Sequence, residues 1–431
     1  MLKVPAYVVK FCSYLSKGGR CLLVGGAVRD HILNIPVHDY DFIFMGNAEW
    51  LKKRFSSYTP SDNFVETLVV LWRGHEFEIN VVKNSLEDNL SRRDFTIDAI
   101  AYDPFEGKFI DPLNGRRDIE LKIIRASVDA EKRLREDPVR IIRGIRLCTR
   151  LSFSIEPETY RMMKWLSYLL GNVNPYRFKK EIEELLKLKT PSSAFLDLLN
   201  IRALHYFLPE LAACEGIKQN QFHRYDLFTH IMKVVDAVPQ RKTDVRFAAL
   251  LHDIGKPATR FWKISRKDYV FYEHEKLSAE MAENLLRRIG ISRERRKKII
   301  TLIRNHMFSY HTRWSDKAVR KFISRVGKEN IDDLFILRKA DRIGTGKKKS
   351  MDDLKELYMR IKREIESGTP LSVNDLDISG YDLMDLGLKG VEIGRAKRFL
   401  LERVLESPEI NRKDELLKIV KENIHLFKSK E

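Results

Sequence analysis

Between Leu22 and Phe44 the chain reads LLVGGAVRDHILNIPVHDYDFIF, and this stretch limits the possible folds more than any other. Leu22-Leu23-Val24 is a short apolar run ending in Gly25-Gly26, the pattern of a buried strand entering a tight turn. Glycines at such a turn let backbone N–H groups approach a ligand, and the N-terminus of a following helix favours an anion. Arg29 falls about one helical turn beyond Gly26 and can add a fork of donors toward the same anion. After a turn around Pro36, Asp39-Tyr40-Asp41 enters the apolar run Phe42-Ile43-Phe44. Alternate strand residues share a face, so Asp39 and Asp41 are expected to point the same way.

Neighbouring carboxylates repel unless a cation lies between them, and Mg²⁺ binds through one or two carboxylates plus substrate phosphates. A glycine turn aimed at phosphate, beside a paired acid on a strand, is equipment for metal-assisted transfer of a nucleotidyl group. Residues 5–17 have helical periodicity and are expected to cover this sheet, and Ala48 to Phe55 reads as helix. Two strands follow, Val65 to Trp72 and Phe77 to Val82. In the second, Glu76, Glu78 and Asn80 share one face. Glu78 is thus either a third carboxylate of the site or part of an exposed strand face. In SRRDFTIDA, Asp94 reads as a helix N-cap or as a ligand to a ribose hydroxyl, with Arg92 and Arg93 near phosphates. Asp111-Pro112-Leu113-Asn114-Gly115 is a turn that closes the first domain.

Beyond that turn the period is helical to the end. In REDPVRIIRGIR, Pro138 suits a first helical position with Asp137 as its cap, which places Asp137 and Arg140 on one face. An aspartate accepts from the exocyclic amino group of cytosine or adenine, and an arginine beside it donates to the next acceptor along the base edge. Guanine and uracil carry a carbonyl where the amino group should be, so such a pair selects C and A without a template.

The rest of the composition is compatible with this reading. Lys+Arg 79 against Asp+Glu 61 gives a formal net charge of +18, which favours a polyanionic partner through counterion release. Cys12, Cys21, Cys148 and Cys214 are widely spaced and form no CxxC, so they read as free thiols in a reducing compartment. The N-terminus lacks a signal-peptide core, and no apolar run is long enough to cross a bilayer. A cytoplasmic location with no membrane partner is expected.

GGAVRD with DYD, then RRDFTIDA, DPLNG and REDPVRIIR resemble, in order and chemistry, the class II tRNA nucleotidyltransferases. That is the CCA-adding enzyme and bacterial poly(A) polymerase family of the polymerase-β-like superfamily. The resemblance implies that Asp39 and Asp41 bind two catalytic Mg²⁺ ions, with Glu78 beside them. It also implies that Gly25, Gly26 and Arg29 hold the triphosphate, and that Arg93 and Asp94 meet phosphate and ribose. Asp137 and Arg140 would read the base, with Arg143 near the triphosphate. The implied substrates are CTP, ATP and tRNA, held at its acceptor and T-arm. Between Glu78 and Arg92 the chain lacks the long charged loop of family members that complete CCA. Loss of that loop in the family accompanies addition of the two cytidines alone.

The second half carries a different set. His230, then His252-Asp253 in LLHDIGKP, then His274, His306 and Asp341 follow the order of an HD-type metal-dependent phosphohydrolase. Imidazole and carboxylate together suit a transition-metal divalent ion that activates water against a phosphoester. The alternative is an inactive helical scaffold. The expected fold is therefore α+β: a polymerase-β-like head with a small mixed sheet, then an all-helical neck, HD-type body and tail. The expected boundaries are 1–120 for the head, 121–205 for a base- and RNA-binding neck, 206–350 for the body and 351–431 for a tRNA-binding tail.

Overall fold

The computed structural model describes residues 2–37, 39–55, 57–58, 67–82, 85–310 and 314–428. The first two residues of the expected strand Val65 to Trp72, and two residues of the connection from Glu78 to Arg92, lie outside these. The chain forms two compact units, Met1–Leu208 and Pro209–Glu431.

The first unit is built on a seven-stranded sheet in the order β3-β4-β5-β2-β1-β6-β7. The strands are β1 Gly19–Val24, β2 Asp41–Gly46, β3 Ser57–Tyr58, β4 Thr67–Trp72, β5 His75–Val81, β6 Ala101–Asp103 and β7 Lys108–Ile110. Neighbours run antiparallel except β2 and β5, which are parallel and place Asp41 opposite Glu78. Alternation sorts the strand residues onto two faces. Phe42 and Phe77 meet Phe11 of helix Ala6–Leu15, the Phe11 and Phe77 rings stacking 4.2 Å apart. On the other face Leu22, Val24, Ile43 and Ala101 pack against Leu86 and Leu90 of helix Leu86–Ser91. That helix, capped by the Ser85 side chain, occupies the last six residues of the connection between Glu78 and Arg92.

Asp39 is not on a strand, contrary to expectation. Val24, the last residue of β1, pairs with Asp41, and the chain then turns at Gly25, so β1 offers Asp39 no partner. The cysteines are also closer than their spacing implied. Packing of helix Ala6–Leu15 on β1 brings Cys12 Sγ within 3.6 Å of Cys21 Sγ, and both thiols are free.

Helical structure follows, interrupted twice. Ile123–Ile124 (β8) pairs in parallel with Ser154–Ile155 (β9), and Arg260–Lys263 (β10) forms a hairpin with Asp268–Phe271 (β11). Aromatic and β-branched residues between two helical stretches made this hairpin legible in RFWKISRKDYVF, yet it was read as helix. The second unit is otherwise a helical body, with a separate apolar cluster in its last fifty-odd residues built on Leu383, Leu388, Leu400, Val404, Leu416 and Val420. No helix among the described residues is long and apolar enough to cross a membrane.

Candidate functional site

In the first unit, distant segments converge at the end of β2. Asp41 opens that strand, Glu78 lies across from it on β5, and Asp39 precedes it. Gly25 turns the chain at φ +73, where a Cβ would come 3.5 Å from Asp41 Oδ2 and 3.3 Å from Arg93 Nη1. It is the positive φ that favours glycine here, since the added Cβ would be in ordinary contact with the acid. These residues, with Gly26 and Asp94, line a cavity of about 570 Å³, in the range that suits a small-molecule ligand. Arg143, Arg146 and Arg150 of helix Val139–Leu151 form another part of its wall.

Burial pushes the Asp41 carboxyl up to about 6, Arg93 opposes this, and Glu78, Asp39 and Asp98 add to it. A carboxylate so short of positive charge fits a divalent cation. Arg93 makes no ion pair among the described residues, which leaves its guanidinium available to phosphate. Arg29 differs from this. It is 3% exposed, with Nη2 2.7 Å from Asp30 and Nη1 on Asp98, while Asp30 also receives Arg150 at 2.8 Å. Arg29 therefore touches the cavity while tying the turn to the segment after the RRD motif.

Asp94 caps no helix. It accepts from Arg140 Nε at 2.6 Å and Arg143 Nη1 at 2.5 Å. Burial pushes its carboxyl up, and the two guanidinium groups outweigh that and hold it below the usual carboxylate range. The helix starts at Val139 with Pro138 at its cap, one residue later than expected, and Asp137 accepts from the Val139 backbone N–H at 3.2 Å and from Arg177 Nη2 at 2.9 Å. Arg140 also donates to the Arg133 carbonyl at 2.6 Å. Asp137 and Arg140 thus do not pair with each other. They meet the cavity wall through Arg143, 3.5 Å from Asp137, and through Asp94.

The second unit brings its six expected residues together. His230 Nε2 lies 3.3 Å from both Asp253 Oδ2 and Asp341 Oδ1, and His252 Nε2 is 3.1 Å from Asp253 Oδ2. On the other carboxylate oxygen, His274 Nε2 stands at 3.2 Å and His306 Nε2 at 3.6 Å. All six are buried. Nδ1 of His252, His274 and His306 lies 2.7–2.8 Å from the carbonyl of Ala249, Phe271 and Ile303 respectively. A carbonyl only accepts, so those nitrogens carry the protons and a neutral ring turns its Nε2 lone pair toward Asp253. Lone pairs and carboxylate oxygens facing each other need a cation, and His274 Nε2 and Asp253 Oδ1 have no hydrogen-bond partner. The sets His230–His252–Asp253 and Asp253–His274–His306 each keep their donor atoms within 4.8 Å of one another, close enough for a metal ion. Gly255 makes the crowding possible, since a Cβ there would meet the His274 carbonyl at 2.9 Å.

Comparison with known proteins follows the same division. The model for the poly A polymerase head domain matches residues 21–125, that for a probable RNA- and SrmB-binding site of polymerase A matches 152–215, and the HD domain matches 223–346. The A-adding tRNA nucleotidyltransferase of Deinococcus radiodurans is 30% identical over 400 residues, covering 88% of this chain and 90% of its own. The chain belongs to the tRNA nucleotidyltransferase and poly(A) polymerase family. A multifunctional CCA protein of Xanthomonas oryzae pv. oryzae is 29% identical over 406 residues, covering 87% of this chain and 95% of its own. The fold resembles the crystal structure of the Bacillus stearothermophilus CCA-adding enzyme in complex with CTP, with a TM-score of 0.70, 23% identity and 97% of each chain covered.

For this family member the motif residues were legible, and their partners were not. Asp30 and Asp98, which hold Arg29, stand inside the GGAVRD and RRDFTIDA motifs but were given no role there, and Glu181, which holds Arg143 and Arg146, comes from a segment with no diagnostic spacing. In the HD part, Lys256 donates to Asp253 Oδ2 at 2.6 Å, Arg338 Nη1 reaches Asp341 at 2.8 Å, and the His223 ring meets that of His230 edge-on. The lysine of HDIGK was the one signal that pointed to any of them.

Proposed function

We propose that this chain is a templateless tRNA nucleotidyltransferase that adds CCA to the 3′ end of tRNA from CTP and ATP. The observation that carries it is the cavity joining Asp39, Asp41 and Glu78 to the Gly25 turn and Arg93. In the reaction the RNA 3′-hydroxyl oxygen bonds to the α-phosphorus, the bond to the β-phosphate bridging oxygen breaks, and pyrophosphate leaves. The hydroxyl proton passes to Asp41 or to water. Mg²⁺ held by Asp39 and Asp41 would supply the charge that activates the hydroxyl and stabilises the leaving group. Arg93 and the Gly25-Gly26 turn hold phosphates, Arg29 fixes that turn, and Arg143 stands near the triphosphate. Asp94 meets the ribose. Asp137 and Arg140 read the base once a nucleotide replaces their present partners. The division into head 1–120, neck 121–205, body 206–350 and tail 351–431 and a cytoplasmic location belong to the same reading, with the tail and neck gripping the acceptor and T-arm.

The names of relatives include A-adding and CCA-adding proteins, and CC-only addition is the outcome that a missing loop would imply. One assay separates them: tRNA ending at the discriminator base, at C or at CC, offered each NTP singly and then together. CCA addition requires that the first substrate gain three nucleotides when CTP and ATP are both present. Stopping after CC, or extension of the CC end alone, overturns it.

A second activity is favoured by the six-residue cluster around Asp253. We infer that it binds a transition-metal divalent ion and hydrolyses phosphoesters at RNA ends. Phosphatase and 2′,3′-cyclic phosphodiesterase assays with Mn²⁺ or Ni²⁺ that stay at background would overturn this.

A further inference from the structure

The β10–β11 hairpin is attached at both ends to the HD cluster. Lys256, bonded to Asp253, opens the short helix that leads into β10, and His274 starts the helix that follows β11. The register pairs Arg260 with Phe271 and Trp262 with Tyr269, so these four share one face. On that face the Arg260 guanidinium lies 3.7 Å from the Tyr269 ring centre, and the Trp262 and Tyr269 rings meet edge-on at 5.0 Å. Lys256 Nζ sits 5.5 Å from the Phe271 ring centre, which carries the row of rings and cations down to Asp253.

Two features of this face, and the charge of the hairpin as a whole, point to a ligand. Trp262 is 48% exposed, although a tryptophan buried for stability would be covered. The buried Arg260 Nε has no hydrogen-bond partner. The hairpin also carries Arg260, Lys263, Arg266 and Lys267 against the single acid Asp268, a local charge of +3. The groove in this region, lined by Glu273, Glu275, Glu280 and Glu283 together with Lys276, Arg304 and Arg325, includes Tyr272, whose hydroxyl accepts from Lys263 and so belongs to the opposite face. The surplus of cations draws a polyanion to the hairpin, and the half-exposed Trp262 ring lies on its Arg260 face.

We propose that this face is a stacking platform that holds the last nucleotides of a single-stranded RNA over the HD cluster. Bases stack on Trp262 and Tyr269, as single-strand binders use rings of either kind, while Arg260 and Lys267 meet phosphates. The inference rests on the HD-hydrolase reading and names its substrate class as RNA 3′ ends in preference to free nucleotides. Water oxygen bonds to the terminal phosphorus, the ester P–O bond breaks, and the proton from water goes to the departing ribose oxygen.

The test uses the full chain with Mn²⁺ and two substrates: a hexaribonucleotide with a 2′,3′-cyclic phosphate end, and 2′,3′-cyclic AMP. In Trp262→Ala the ratio of kcat/KM for the oligonucleotide over that for the mononucleotide is expected to fall at least tenfold, through KM, and Trp262→Phe is expected to restore it. A ratio within twofold of wild type in Trp262→Ala overturns the platform. If the wild type cleaves neither substrate, the hydrolase reading fails, and photocrosslinking of a 4-thiouridine hexamer decides the platform separately. A crosslink mapped to residues 260–271 supports it. Crosslinks only elsewhere, or none, overturn it and leave the face to a protein partner.

Discussion

The two acidic centres of this chain solve the problem of holding a cation in opposite ways. In the first unit Asp39, Asp41 and Glu78 stand where the interior strand β2 begins, two of them exposed, beside an arginine-rich wall. In the second unit four histidines and Asp341 are buried around Asp253, and backbone carbonyls set the tautomers of His252, His274 and His306. The open centre leaves coordination positions for substrate phosphates, as hard ions such as Mg²⁺ require. The closed centre supplies a nearly complete nitrogen and oxygen set of its own, which suits a mid-series ion. A cation is thus expected to arrive at the first with the nucleotide and to reside at the second without it.

The largest effect separates the two centres. Asp41→Asn is expected to lower nucleotide incorporation on the order of 10³-fold through lost electrostatic stabilisation of the transition state. Phosphoester hydrolysis in the same variant tests whether the centres work independently, and a parallel loss there would break the comparison. Next, Asp253→Asn removes the carboxylate shared by both buried sets. Protein dialysed against metal-free buffer should retain transition metal in the wild type and lose it in this variant, read by elemental analysis. Equal retention would show that the closed centre does not hold the ion.

Arg140→Ala should change selectivity more than rate. It removes one of the two guanidinium groups on Asp94, and discrimination of CTP and ATP over UTP and GTP is expected to fall by roughly 10- to 100-fold, the value of a good bidentate base contact. Competition assays with the four nucleotides would measure it. The smallest effect concerns stability. With Asp41 raised to about 6 by burial, the folded state binds its proton more tightly than the unfolded chain does. Ionised Asp41 therefore costs stability that is absent below the ordinary value near 4, grows as pH rises, and is complete above about 6. In magnesium-free buffer Asp41→Asn should melt a few degrees higher than wild type at pH 7.5, at about 4–8 °C per kcal/mol for a small domain and less for a larger one. The gap should close at pH 4, and saturating Mg²⁺ with nucleotide should narrow it at pH 7.5. A gap independent of pH would show that Asp41 is not strained by burial.

The same contrast governs what could be read without coordinates. The turn at Gly25, the strand before it and the alternation that puts Glu78 on one face of its strand follow from steric rules that act within a few residues. The pairing that sets Glu78 beside Asp41 does not. The order of the HD motifs does, because His252 and Asp253 are adjacent and the remaining ligands lie on recognisable helices. Asp39 was misplaced onto a strand because pairing depends on where the neighbouring strand ends. The hairpin at Arg260–Phe271 was taken for helix because the surrounding helical period outweighed a short aromatic run.

By itself, then, the sequence determined the chemistry available: the glycine turn, the paired acids, the arginine-rich helix and the set of buried-type ligands, each written in local spacing. Only the tertiary structure decided how those groups are spent. It turned Arg29 inward to two aspartates, set Asp94 between Arg140 and Arg143, and left Trp262 half exposed on its hairpin. The physical reason is that a side chain's partners come from segments distant in sequence, whereas its own reach is a few ångströms. Spacing along the chain cannot encode which of several nearby charges it will meet.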